Sequence, residues 1–187
     1  MAKNNVIKLS TYTAKADDVF FFDNNIWMFI FCPLANYSKG KKQHHYSAFF
    51  KSLLSRKLHI YTSSLVLSEF ANRYLRLDFD IVRSDPKQAG VYNNFKKDYV
   101  GSERYKKTVK EVKQQLKQIV SICQKCSDEF NSIDTNMVFE LFETIGFNDS
   151  YYAHLATKKN WKIVTDDSDF IKTNLPSIGL TILSEAV

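Results

Sequence analysis

The sequence predicts an α/β fold in which a parallel sheet of about four to five strands is wrapped by helices. Three observations carry that prediction. Short apolar runs, VFFF at 19–22, LHIYT at 58–62, WKIV at 161–164 and IGLTIL at 178–183, are each confined to strand length. The stretches between them are long enough for crossover helices and carry apolar residues at helical spacing. Only 5 glycines and 3 prolines occur among 187 residues, so little of the chain is suited to long loops or linkers. An apolar content of 44% suits a single domain, 1–187, with one sizeable core.

In chain order, residues 1–17 read as a polar, irregular N-terminal arm. The first strand, 19–22, stops abruptly on Asp23. The apolar run 25–32 reads as a helix closed by Pro33, followed by a polar loop at 36–43 and a helix around 44–56. After the second strand, Ser63 or Ser64 caps a helix whose stripe is Leu67, Phe70, Tyr74 and Leu77, with Glu69 beside it. Residues 78–130 exceed what a minimal sheet crossover needs and read as an extra helical segment. Within it, Asp85-Pro86 marks a turn, Gly101 a break, and 102–127 one amphipathic helix with Val109, Val112, Leu116, Ile119 and Cys123 on its apolar face. A helix near 135–145 ends at Gly146, and another begins at Asp149 and runs toward the third strand. Pro176 precedes the fourth. No internal repeat is visible.

A net charge of +6 favours polyanionic partners, with plain solubility as the competing reading. Three cysteines cannot close a disulfide framework, and the first residues lack the apolar core of a signal peptide, so a reducing cytoplasm is the expected setting. The most apolar region, 19–32, is interrupted at 23–25 and leaves a run of seven residues, far short of the about 20 a spanning helix needs. No membrane segment is expected.

Ligand crevices of open parallel sheets lie outside the carboxyl ends of the strands. Asp23 stands at one such end, and Asp166, Asp167 and Asp169 follow another, while Asp149 opens a helix and Glu69 can face the same crevice. Several carboxylates converging at low dielectric repel one another strongly, so the group must bind a cation or stay partly protonated. Oxygen ligands without a Cys/His set favour Mg²⁺ or Mn²⁺, ions that typically work on phosphate-bearing substrates. Metal-assisted phosphodiester hydrolysis is the implied chemistry.

Four motifs in order, D-N-N-I at 23–26, S-E-F at 68–70, N-D-S-Y-Y-A-H-L-A at 148–156 and V-T-D-D-S-D-F at 164–170, resemble the PIN domain as found in VapC-like toxins. That resemblance implies a parallel-sheet ribonuclease whose acidic residues bind Mg²⁺ or Mn²⁺ and cut RNA. Carried over by motif, Asp23, Glu69, Asp149 and Asp167 would be catalytic, with Asp23, Asp149, Asp167 and Asp169 holding metal. Asn25 and Thr165 would orient carboxylates. Asp166 remains the alternate to Asp167 in the doubled acid. The resemblance further implies an RNA substrate, a role either as the toxin of a toxin-antitoxin pair, with a cognate antitoxin, or as a stand-alone RNA nuclease, and homodimerisation.

Competing readings are more ordinary. Taken alone, Asp23 and Asp149 read equally as helix caps, Glu69 as the i, i+4 ion-pair partner of Arg73, and Asp169 as a loop residue. Cys123-x-x-Cys126 lies within a helical pattern and lacks a second Cys/His pair, which argues against zinc. His44, His45, His59 and His154 read as surface or core filler. Setting the five site acids aside leaves 26 basic residues against 15 acidic, a net +11 around the crevice. Lys39, Lys41, Lys42, Lys96, Lys97, Lys106, Lys107, Lys110 and Lys113, interspersed with Tyr92, Tyr99 and Tyr105, can track phosphates and stack bases, or simply solvate the surface. The rival from another class is a catalytically inactive PIN-like module that binds RNA or protein. A haloacid-dehalogenase-like phosphatase needs D-x-D, and Asp23-Asn24-Asn25 lacks the second acid.

Overall fold

The computed structural model describes residues 4–34, 40–171 and 178–187. Lys39, Pro176 and positions 36–39 of the predicted loop lie outside the described residues. Among the described residues six strands form one sheet: β1 (Asn5–Lys8), β2 (Val19–Phe22), β3 (His59–Thr62), β4 (Gln124–Lys125), β5 (Lys162–Val164) and β6 (Thr181–Ser184). Their spatial order is β1-β6-β5-β2-β3-β4, and every pairing is parallel. The strand order reverses between β2 and β5, where Phe20, Phe21 and Phe22 align with Lys162, Ile163 and Val164. A crevice is expected outside the carboxyl ends at such a switch point.

The three phenylalanines of β2 are buried because a parallel strand in the middle of a sheet is covered on both faces. Strand alternation sends Phe20 and Phe22 to one face and Phe21 to the other. Phe20 meets Phe49, and Phe22 meets Trp27 and Phe50, which belong to α1 (Asn24–Phe31) and α2 (Lys41–Ser55). Phe21 packs on Tyr152 of α6 (Phe147–Lys159) and on Trp161. Each such ring contributes about 1.5–3 kcal/mol by burial, so this strand anchors both layers.

Two strands were not visible in the sequence. β1 falls inside the stretch read as irregular; it lies at the sheet edge and is largely exposed, so no apolar alternation marks it. β4 is two polar residues, Gln124 and Lys125, paired with Tyr61 and Thr62. It falls in the 78–130 span, so that span is not helical throughout. It also ends the long helix early: α4 runs Glu103–Ile122, capped by the Ser102 hydroxyl accepting from the Tyr105 amide. Cys123 and Cys126 therefore flank a strand instead of lying inside a helix. Burial pushes their thiols up, to about 12 and about 11, which disfavours the thiolate that metal binding needs.

The remaining helices are α3 (Ser64–Ser84) and α5 (Thr135–Phe142). α3 is N-capped by Ser63 and reaches seven residues past Leu77. Gly146, expected to end the helix before it, instead precedes the first turn of α6, which places Asp149 within that turn. Beyond the main core, the far ends of α3 and α4 form a projection with its own apolar cluster, Phe79, Val82 and Tyr99, flanked by Tyr92, Phe95 and Tyr105. Asp78, 1% exposed, ties the projection together: it accepts from Tyr99 (2.6 Å), Thr108 (2.8 Å) and the Arg104 guanidinium. Tyr99 is thus a core residue, not a base-stacking one.

Candidate active site

The site assembles at the switch point because β2 and β5 end side by side. Asp23 follows β2 directly, and its amide donates to the Val164 carbonyl at 3.0 Å. Its side chain is 4% exposed and receives three donors: the Asn24 amide (2.5 Å), the Asn25 side chain (2.6 Å) and the Thr165 hydroxyl (2.7 Å). Asn25 also reaches Thr165 at 3.1 Å, which locks the two supporting residues together. Asp23 does cap α1, as the ordinary reading expects, and it does so from inside the acidic group.

Glu69, on the first third of α3, accepts from Tyr152 (3.0 Å), Asn148 (3.3 Å) and Asn24 (3.4 Å). These three donors were missed in the sequence. Tyr152 was within reach of a pattern argument, since it lies three residues after Asp149 on the same face of α6. Asn24 is 2% exposed, and its Oδ1 has no hydrogen-bond partner.

Asp149 occupies the first turn of α6, where the helix dipole favours negative charge. A Cβ at Gly146 would come within 2.9 Å of its Oδ2, so the glycine makes room for the carboxylate. Asp167 donates its amide to Thr165 Oγ1 (3.0 Å) and accepts from the Asp169 amide (2.9 Å). Asp166 points elsewhere: its carboxylate accepts from the Tyr46 hydroxyl at 2.9 Å and pairs with Lys42 at 3.3 Å.

The electrostatics link these residues. Burial pushes the Asp23 carboxyl up to about 7, with Glu69 and Asp167 adding to the rise and the Thr165 and Asn24 hydrogen bonds opposing it. Burial likewise pushes Asp149 up to about 8, reinforced by Asp23, Asp167, Glu69 and Asp169. Glu69 and Asp167 thus bear on both Asp23 and Asp149, and Asp169 bears on Asp149. Among the described residues, however, no three His, Cys, Asp or Glu side chains stand close enough to form a metal cage as placed. The two observations are compatible, because Coulombic coupling reaches beyond coordination distance. The donor chemistry fits a hard divalent cation: all the side-chain donors are oxygens, most of them carboxylate, and Asn24 leaves a buried oxygen unpartnered beside them.

Beside the acids, a polar cleft of about 510 Å³ is lined by Asn25, Lys42, Arg73, Asp166, Asp167 and Ser168, among others. From the sequence, Arg73 reads only as an ion-pair partner of Glu69. Among the described residues no helix is long and apolar enough to cross a membrane.

No curated protein sequence matches the chain. Among solved structures, it is similar to a chain of the crystal structure of VapBC2 from Rickettsia felis bound to a DNA fragment from their promoter. The identity is 18%, the match covers 89% of this chain and 98% of that one, and the TM-score is 0.51, a likeness of fold. The family model described as the PIN domain matches residues 21–175, a span that starts within β2, encloses all five acids and takes in the switch point. With a parallel sheet of the expected kind beneath that match, the chain belongs to the PIN domain family.

Proposed function

We propose that the chain is a Mg²⁺- or Mn²⁺-dependent endoribonuclease that hydrolyses RNA phosphodiester bonds, acting in the cytoplasm as the toxin of a toxin-antitoxin pair. The observation that carries this reading is geometric: Thr165 joins Asp23 and Asp167 across the ends of β2 and β5, while Asn24, Asn148 and Tyr152 draw Glu69 to the start of α6, where Asp149 stands. Family membership supports the nuclease class, and the likeness to VapBC2 supports the toxin role and a cognate antitoxin. Homodimerisation belongs to the same reading.

In this proposal Asp23, Asp149, Asp167 and Asp169 hold the cation, and Glu69 acts through water. Bound there, a divalent ion supplies Lewis acidity toward the scissile phosphate and a more acidic water. The chain's own residues prepare the site. Thr165 and Asn25 fix the Asp23 carboxylate, so that it does not reorganise during the reaction. Tyr152, Asn148 and Asn24 do the same for Glu69. Burial and the neighbouring acids hold the Asp149 carboxyl up at about 8, so a bound cation would favour its ionised form.

The test is cleavage of a labelled mixture of cellular RNAs by the natural chain and by Asp149→Asn, each with Mn²⁺, with Mg²⁺ and with chelator. Cutting that needs both a metal and Asp149 is the expected result. If the natural chain binds RNA but leaves it intact under every condition, the reading fails in favour of an inactive binding module.

A further inference from the structure

Three clefts of this molecule follow one helix face. Glu69, Arg73, Arg76, Asp80 and Arg83 follow one another on α3 at intervals of four, three, four and three residues, which places them on a single face. Three clefts lie along that face and share their walls. Arg73 lines both the cleft beside Asp167 and a second cleft with Arg76, Leu77 and Asp80. Arg76 in turn lines both the second cleft and a third, of about 360 Å³, formed with Arg83, Asn93, Asn94, Phe95 and Lys96 at the tip of the projection. From Glu69 to Arg83 the helix rises about 21 Å.

The chemistry along this path is arginine alternating with aromatic rings. The Arg76 guanidinium lies 3.9 Å from the centre of the Phe95 ring, and Arg83 lies 5.9 Å from that of Phe79. Arg73, Arg76, Arg83 and Lys96 are exposed. A guanidinium over a ring can present its edge to a phosphate, and guanidinium planes also stack on bases. Single-stranded nucleic acid is gripped by this combination of basic track and planar stacking surfaces.

We propose that the arginine face of α3 is a binding track for single-stranded RNA, running from the carboxylate site to a base-binding pocket between Arg76, Arg83 and Phe95. The proposal rests on the nuclease reading and extends it, because it assigns to the projection the selection of RNA several nucleotides away from the cut. The track starts at the reacting acids, and that continuity favours the substrate over an acidic protein as its occupant.

The experiment uses the full chain carrying Asp149→Asn, so that RNA is bound without being consumed, and follows fluorescence anisotropy of labelled oligouridylates of about two and about twelve nucleotides. The longer RNA should bind at least about tenfold more tightly than the shorter. Arg76→Ala and Arg83→Glu should each remove most of that gain. Each should also lower the slope of log affinity against log salt by about 0.7, the share of one phosphate contact on a single strand. Arg76 also covers Phe95, so Arg83→Glu, which leaves that contact in place, is the deciding variant. Equal affinity of parent and Arg83→Glu for the longer RNA would overturn the track. So would a decaglutamate peptide that binds in an Arg83-dependent way when RNA does not. RNA held in an Arg83-dependent way, but left uncut by the natural chain with metal, would sink the nuclease reading and leave the track standing. RNA cut but bound alike by parent and variant would do the reverse.

Discussion

The Thr165 hydroxyl donates to the buried carboxylate of Asp23 at 2.7 Å, across 142 positions of sequence, and so joins the ends of the two strands that define the switch point. Removing this donor leaves the fold but loosens the acid. Thr165→Val should lower thermal stability by about 1–2 kcal/mol, because a buried acceptor loses one of its partners. It should also reduce RNA cleavage by about tenfold or more, while Thr165→Ser restores both. A Thr165→Val protein with full activity would show that the hydrogen bond is only structural.

Asp149 should make the metal-free chain less stable as pH rises. Its carboxyl has a folded value of about 8 against about 3.9 when unfolded, so between these limits the native state binds more protons than the unfolded one. Stability therefore falls with increasing pH through that window, and Asp23, at about 7, acts in the same direction. In chelator, Asp149→Asn should raise Tm at pH 8 by about 2–4 °C for each kcal/mol of repulsion relieved, and change it little at pH 4. A lower Tm for the variant at pH 8 would contradict this account.

Gly146→Ala should separate activity from folding. Gly146 has an ordinary negative φ, and the new methyl would meet the end of the Asp149 side chain at 2.9 Å, a group able to swing aside. Circular dichroism and Tm should stay close to those of the parent, while RNA cleavage drops by about tenfold or more. Unchanged cleavage would mean that the position of Asp149 is not critical.

The projection should be acid-labile through Asp78. Burial pushes this carboxyl up, but hydrogen bonds from Arg104, Tyr99 and Thr108 override burial and hold it below the usual carboxylate range. Its stabilisation is present above the unfolded value of about 3.9 and is lost as pH falls through the lower folded value. At neutral pH, Arg104→Ala should cost about 2–4 kcal/mol, since it leaves a buried charge short of its cation. Urea unfolding followed by tyrosine fluorescence measures it, and a loss below about 0.5 kcal/mol would show that Tyr99 and Thr108 suffice.

The central strands, the parallel arrangement and most of the helices were legible because each is written in local pattern, and the acids were visible as candidates by their places at strand ends and helix starts. Apolar runs of strand length gave β2, β3, β5 and β6, and apolar spacing gave α3 and α4. The failures lie at the sheet edges. β4 is two polar residues whose only strand signal is the partner they pair with, and β1 is an exposed four-residue edge strand in which Val6 and Ile7 sit between polar neighbours without alternation. The end of α4 was placed too late for the same reason: Cys123 continues the apolar stripe, and only the pairing of Gln124 and Lys125 with β3 breaks the helix there.

By itself, then, the sequence determined which residues carry charge, which runs must be buried, and the order in which acids meet strand ends and helix starts. Only the tertiary structure decided which of those acids share a field. Glu69 and Asp149 are 80 positions apart, and Asp166 is separated from Asp167 by one peptide bond, yet Glu69 bears on Asp149 while Asp166 turns to Tyr46 and Lys42. The same holds for Tyr99, which reads as an RNA-stacking ring until Asp78 claims its hydroxyl inside the projection. The physical reason is one of range. Periodicity and capping act within a turn or a strand, whereas hydrogen bonds and Coulombic coupling depend on distances that exist only after the sheet has brought β2 and β5 together.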